Sequence, residues 1–179
     1  MKIQSLPSNL KGVYGQWKLL QQVHNVVVEQ KWLECIGLAK ELSNGQENDI
    51  HGEYYQGICH TQLKFYEEAI TNFEKALLNI QKNKIHWAVT EYEEEARLRL
   101  AHVYRLQRKY EKATELLDQL IATHLKYVNA YQSKAGIQID QDDFNGALRT
   151  ANMGLSQLPN HQELLELRNS MVYELTAKS

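Results

Sequence analysis

One pairing recurs along this chain and constrains it more than any other feature. An aromatic residue is followed three positions later by a small one at Trp32/Cys35, Tyr66/Ala69, Tyr110/Ala113 and Phe144/Ala147, at intervals of 34, 44 and 34 residues. A fixed period within about 20–50 residues is the mark of a repeat architecture, in which each unit buries its apolar face only by stacking on its neighbours. Nine glycines and two prolines among 179 residues leave long stretches free to be helical. An apolar content of 43% is that of a folded chain.

A second small residue sits twelve positions before the first, giving Gly57/Ala69, Ala101/Ala113 and Ala135/Ala147, with Val23/Cys35 a looser counterpart. Two helices whose backbones approach closely need small residues on facing positions. Helical spacing supports this independently. Ala69, Ile70, Phe73, Ala76, Leu77 and Ile80 follow the i, i+3, i+4, i+7 rule, as do Leu100, Val103 and Tyr104 and then Ala113, Leu116, Leu117 and Leu120. The alternative is a non-repetitive helical bundle with accidental periodicity.

The segment Gly57, Tyr66-Glu67-Glu68-Ala69-Ile70, Phe73, Ala76-Leu77 resembles the tetratricopeptide repeat (TPR) motif. So do Ala101, Tyr104, Tyr110-Glu111-Lys112-Ala113, Leu117 and Tyr131, Ala135, Phe144, Ala147-Leu148, Pro159. The resemblance covers roughly residues 16–161. It implies an all-α fold, a right-handed α-solenoid of four TPR helix pairs with a terminal capping helix. Its units would be 16–49, 50–83, 84–127 with an extended first helix, and 128–161, followed by a capping helix and tail at 162–179. The A and B helices are predicted near 16–29/31–43, 48–63/66–82, 86–107/110–124 and 128–140/144–157, and the last helix near 161–177. Asn160 and Glu163 would open that last helix as a capping box. Residues 1–15, with Pro7, Gly12 and Gly15, read as an irregular lead-in.

The ten extra residues between the second and third units keep a helical spacing at Ile85, Ala88/Val89, Tyr92 and Ala96. They predict a third A helix lengthened by nearly three turns. Trp87 and Tyr92 then either form a secondary binding surface or pack on an equally extended second B helix. Glu93-Glu94-Glu95 reads as a solvated face, with a basic partner as the weaker reading.

A TPR solenoid lines its concave face with A helices. The positions implied to point there are Trp17, Leu20, His24 and Val27; His51, Tyr54, Ile58 and Thr61; Leu98, His102 and Arg105; Gln132, Gly136 and Ile139. Such a surface suits an extended or helical peptide with apolar anchors. The two-carboxylate clamp of one TPR subclass is not matched. Its places hold Leu20, His24, Tyr55, Glu95 and Arg99, and only Arg99 fits.

The net charge of −2 and pI near 6.4 come without a basic face, which argues against nucleic acid. No apolar run of about 18 residues is present, so membrane insertion is not expected. Cys35 and Cys59 fall at core-like helical positions, and two buried thiols suggest a reducing, cytoplasmic setting. None of the seven histidines has metal-ligand spacing, and neither a phosphate-binding loop nor a nucleophile elbow occurs. His60 holds a place given to packing side chains. No catalytic residue, metal or cofactor is expected. The functional expectation is a non-catalytic adaptor that binds a partner protein segment in its groove. The alternatives are a secretion-type chaperone, a signalling-peptide sensor and a self-assembling homo-oligomer.

Overall fold

The computed structural model describes residues 8–45, 50–83 and 88–177, and among them the chain forms nine α-helices and no strand. These are α1 (Ser8–Val28), α2 (Trp32–Gly45), α3 (Ile50–Gln62), α4 (Tyr66–Asn83), α5 (Ala88–Leu106), α6 (Tyr110–Thr123), α7 (Val128–Asp140), α8 (Phe144–Gln157) and α9 (Gln162–Ala177). Each B helix, α2, α4, α6 and α8, opens on the recurring aromatic. The chain divides into two compact units, residues 1–96 and 97–179, with the boundary inside α5. In the first, helices pack in chain order from α1 to α4, and α1 also touches α3. In the second, α6 to α9 do the same, and α7 touches α9.

The turn from each A helix to its B helix is one structure built four times. Gln30, Lys64, Arg108 and Asp142 stand at the same repeat position, with φ of 58°, 64°, 58° and 59°. The N–H of the following residue reaches back five positions, Lys31 to Val26, Phe65 to His60, Lys109 to Tyr104 and Asp143 to Gln138, at 2.8–2.9 Å. The left-handed residue itself donates three positions back, to Val27, Thr61, Arg105 and Ile139. This pair of bonds is the Schellman motif, which satisfies the last carbonyls of a helix. Four non-glycine residues adopt the conformation that glycine usually takes there. Only the fourth turn adds a side-chain cap, in which Gly146 N–H donates to Asp143 Oδ1 at 2.8 Å.

The small residues do what their spacing required. Cys35, Ala69, Ala113 and Ala147 are fully buried, as are Val23 and Ala135, while Ala101 is nearly so. Gly57 lies against the buried Phe73 ring, and a Cβ there would come within 2.7 Å of it. Burying such a ring contributes about 2–3 kcal/mol. Gly52 brings α3 onto the backbone of α2, so an added Cβ would lie 2.6 Å from Ser43 N and 2.7 Å from Ala39 O.

Four expectations are corrected. Residues 8–15 belong to α1 rather than to an irregular lead-in. The ten-residue insertion is shared by two helices. α4 has 18 residues against 14 in α2, α6 and α8, and α5 has 19 against 13 in α3 and α7. α9 is preceded by His161, not Asn160, and Glu163 accepts a hydrogen bond from Gln132 Nε2 at 3.0 Å instead of capping its own helix. Cys35 and Cys59 are not free thiols. They form a disulfide that joins α2 to α3, and the thiol argument for a reducing compartment loses its basis.

Candidate partner-binding site

In the first unit, α3 and the start of α5 bring aromatic side chains together. Tyr54 meets Tyr55 at 5.3 Å between ring centroids and Tyr92 at 5.4 Å, with interplanar angles of 77° and 88°. His51, one turn before Tyr54, meets Tyr92 edge-on at 4.8 Å. Tyr54 also touches Phe73, which ties the cluster to the core. Edge-to-face pairs of this kind contribute about 0.5–1.5 kcal/mol beyond the area they bury. Burial, reinforced by Tyr92 and Tyr54, pushes the Tyr55 phenol well above the usual tyrosine range, so it stays neutral. Tyr54, Tyr55, Tyr92 and Glu95 line an open pocket of about 330 Å³. Tyr92 therefore packs on α3 and lines the same pocket as Tyr54, rather than forming a separate secondary surface. Trp87 lies outside the described residues.

In the second unit the chemistry is ionic. Arg105 donates from Nε to Asp140 Oδ2 at 2.6 Å and from Nη2 to Oδ1 at 2.8 Å, a two-pronged pair that ties α5 to α7. The Arg105 guanidinium holds the Asp140 carboxyl below the usual carboxylate range. The guanidinium lies across Gly136, where a Cβ would be 2.6 Å from Nη1. His102, Arg105, Leu106, Arg108, Tyr110 and Asp140 line an open groove of about 600 Å³. Partial desolvation, with the cations Arg105 and Arg99 adding to it, holds the His102 pKa below the ordinary imidazole value.

The remaining predicted groove positions divide between surface and core. His24 and Trp17 are exposed, and Leu98 is half-buried. Leu20 and Val27 pack against the cluster of Val23, Val26, Cys35, Leu42 and Cys59, and Ile139 packs against Ala135, Ala147 and Met171. Ile58 is buried, and Thr61 donates to the Gly57 carbonyl of its own helix at 2.8 Å. Gln132 is bonded to Glu163 of α9. Arg105 is committed to Asp140, so the cation expected to meet a partner is largely neutralised within the chain. Conversely, Tyr55, Glu95, Arg108, Tyr110 and Asp140 line the open spaces and were not among the predicted groove residues. Among the described residues no group of three or more His, Cys, Asp or Glu could hold a metal ion, and no helix is long and apolar enough to cross a membrane. His60 is half-buried, shares a 2.7 Å hydrogen bond with Asn72, and has its pKa lowered mainly by burial.

No protein-family model and no curated protein sequence matches this chain. Several solved structures do. A chain of the APC/C hetero-tetramer Cut9-Hcn1 is similar with a TM-score of 0.71 and 17% identity, over 87% of this chain and 29% of that one. A tetratricopeptide repeat protein from Parabacteroides merdae is similar with a TM-score of 0.68 and 17% identity, over 97% of this chain and 62% of that one. MamA RS-1, as an ArsTM double mutant, is similar with a TM-score of 0.66 and 18% identity, over 89% of this chain and 84% of that one. This chain thus spans less than a third of the first structure's chain and under two thirds of the second's. Four phased helix pairs, a repeated turn and these likenesses together define the fold: it is the all-α fold of tetratricopeptide repeat proteins.

Proposed function

We propose that this chain is a non-catalytic adaptor that holds a segment of a partner protein against its A helices. The observation that carries the reading is the make-up of the two open spaces. Tyr54, Tyr55, Tyr92 and Glu95 in one unit stand on A helices, as do His102, Arg105, Leu106 and Asp140 in the other, where Arg108 of the turn and Tyr110 of α6 complete the lining. Repeat proteins of this kind use that face for extended ligands. Aromatic side chains beside a few fixed charges are the composition of binding surfaces. The likeness to a hetero-tetramer chain and to a tetratricopeptide repeat protein supports the reading by fold analogy.

The test is affinity capture from source-cell lysate read by mass spectrometry, with three variants matched for helicity by circular dichroism. Tyr92→Ser and Arg108→Glu each alter one open space. Leu33→Asp with Leu78→Asp alters exposed positions on the B helices α2 and α4. A partner retained by the B-helix variant and lost by either groove variant supports the adaptor. A partner lost only from the B-helix variant overturns it.

A further inference from the structure

We infer that the groove of the second unit is an acidic-residue site, in which Arg108 takes the side-chain carboxylate of a glutamate or aspartate in the bound partner segment. This rests on the adaptor reading and names the chemistry at one point of it. The groove is lined by two guanidiniums and one carboxylate. Asp140 is spent on Arg105, which grips it through Nε and Nη2. Arg108 is the charge left over. It is exposed, lines the same open space, and forms no hydrogen bond or ion pair among the described residues. The His102 imidazole and the Tyr110 hydroxyl line the groove in the same condition, and each can donate a hydrogen bond to an anion. The surrounding charge agrees. Residues 97–112 carry six cations, Arg97, Arg99, Arg105, Arg108, Lys109 and Lys112, against the single carboxylate of Glu111. Beyond Asp140, Asp143 accepts from Gly146 N–H to cap α8, and neither it nor Asp142 lines the groove.

Three properties select a side-chain carboxylate. The planar fork of a guanidinium matches the two oxygens of a carboxylate. Two arginines against one aspartate leave a single positive charge, which a monoanion balances, whereas a phosphate dianion would set excess negative charge beside Asp140. Leu106, 43% exposed in the same lining, offers a packing surface to an apolar neighbour of the acidic residue. The site stands at the end of α5, the turn after it and the start of α6. It uses none of the clamp positions held here by Leu20, His24, Tyr55, Glu95 and Arg99.

The experiment is an NMR titration of the full chain carrying ring-labelled histidine and tyrosine. The probes are acetyl-Leu-Glu-Leu-amide and acetyl-Leu-Gln-Leu-amide, which keeps the shape and loses the charge. The glutamate peptide should shift the ring signals of His102 and Tyr110 saturably. The glutamine peptide should bind about fivefold more weakly, the scale of one exposed, forked ion pair. Two variants have precedents within this chain. Gln30 and Lys64 occupy the same left-handed turn position as Arg108, so Arg108→Gln and Arg108→Lys both keep the turn. Arg108→Gln should close the gap between the two peptides. Arg108→Lys keeps the charge without the fork and should retain part of the gap.

Equal binding of both peptides by the native chain would overturn the site. So would a gap that survives Arg108→Gln, or the absence of saturable shifts up to the solubility limit. Tighter binding of the same peptide with phosphoserine in place of glutamate would overturn the carboxylate assignment. If acetyl-Leu-Gln-Leu with a free C-terminal carboxylate binds more tightly than the glutamate peptide, the side-chain assignment is wrong. The two readings fail separately. If groove variants lose the captured partner while the glutamate peptide gives no ring shifts, the acidic-residue site is wrong and the adaptor stands. If the peptide binds while capture survives every groove variant, the site stands and the adaptor is wrong.

Discussion

The open spaces of the two units both draw side chains from A helices and are held by different physics. In the first unit the walls are tyrosines in edge-to-face contact, and Tyr55 packs against the cluster that holds the Cys35–Cys59 disulfide. In the second the wall is a two-pronged ion pair, with both side chains about a third exposed (31% and 34%). Rings packed against one another and against a covalently tied helix pair present a fixed shape. A solvent-accessible ion pair presents charges that can be exchanged for those of a ligand. A repeat scaffold thus keeps its backbone and its turn while the chemistry of its face varies from unit to unit.

The largest break in the comparison should come from the covalent tie. Cys35 and Cys59 are 24 residues apart, and closing a loop of that size stabilises by about 3 kcal/mol in the chain-entropy picture. Cys35→Ala with Cys59→Ala, or treatment with a dithiol reductant under native conditions, should lower the melting temperature. Amide protection should fall in α2 and α3 and hold in α7 to α9. Thiol titration of the unreduced, denatured chain should find none. Two free thiols there would remove the staple and with it half of the contrast.

The glycines should give the next largest effect, with unequal costs in the two units. Gly52→Ala drives a Cβ into the α2 backbone at Ser43 and Ala39, atoms that cannot swing away. It should cost about 1–3 kcal/mol in denaturant unfolding. Gly136→Ala meets only the far end of the Arg105 side chain, which can rotate. Its cost should stay under about 1 kcal/mol, the worth of an exposed ion pair. Equal costs would mean that the second groove is as rigid as the first.

Much of this scaffold was legible in the sequence because four aromatic–small pairs in phase fix where each B helix starts. The turns were not. Gln30, Lys64, Arg108 and Asp142 carry no glycine signal, and only their shared place in the repeat marks them. Nor was the disulfide, since pairing needs two helices at the right distance and the spacing of Cys35 and Cys59 does not state one. The insertion was seen at full length but assigned to one helix, whereas α4 and α5 each carry part of the added length. The groove was the least legible part. Leu20, Val27 and Ile139 obey the same i, i+3, i+4 rule as true surface positions, because the stripe that lines a groove borders the stripe that fills the core. Tyr55 stands about 100° round the helix from Tyr54. Its role became visible only once α5 placed Tyr92 and Glu95 opposite.

The ion pair of the second groove should respond to acid where the tyrosine pocket does not. The folded pKa of Asp140 lies below its unfolded value, chiefly through the hydrogen bond from Arg105. Its contribution is therefore present above about pH 4 and is lost as pH falls through the folded value. Partial exposure limits it to about 0.5–1 kcal/mol. Asp140→Asn should remove that part of the acid limb of the stability curve. It should leave the tyrosine ring signals of the first unit in place. A shift of those signals would show that the two open spaces are coupled.

The smallest effect separates fold from site at the turn itself. Lys64 and Arg108 occupy the same left-handed position, but only Arg108 lines an open groove. A side chain at such a φ costs about 1–2 kcal/mol. Glycine there relieves that cost while adding about 0.4–1 kcal/mol of unfolded-state entropy. Lys64→Gly and Arg108→Gly should therefore each stabilise by about 0.5 kcal/mol, read as a small rise in the denaturant midpoint at unchanged slope. Their effects on binding should differ, because Arg108→Gly also removes a cation that lines the second groove. If Lys64→Gly destabilises, the strain is compensated by contacts of the lysine side chain. The four turns would then be alike in backbone only.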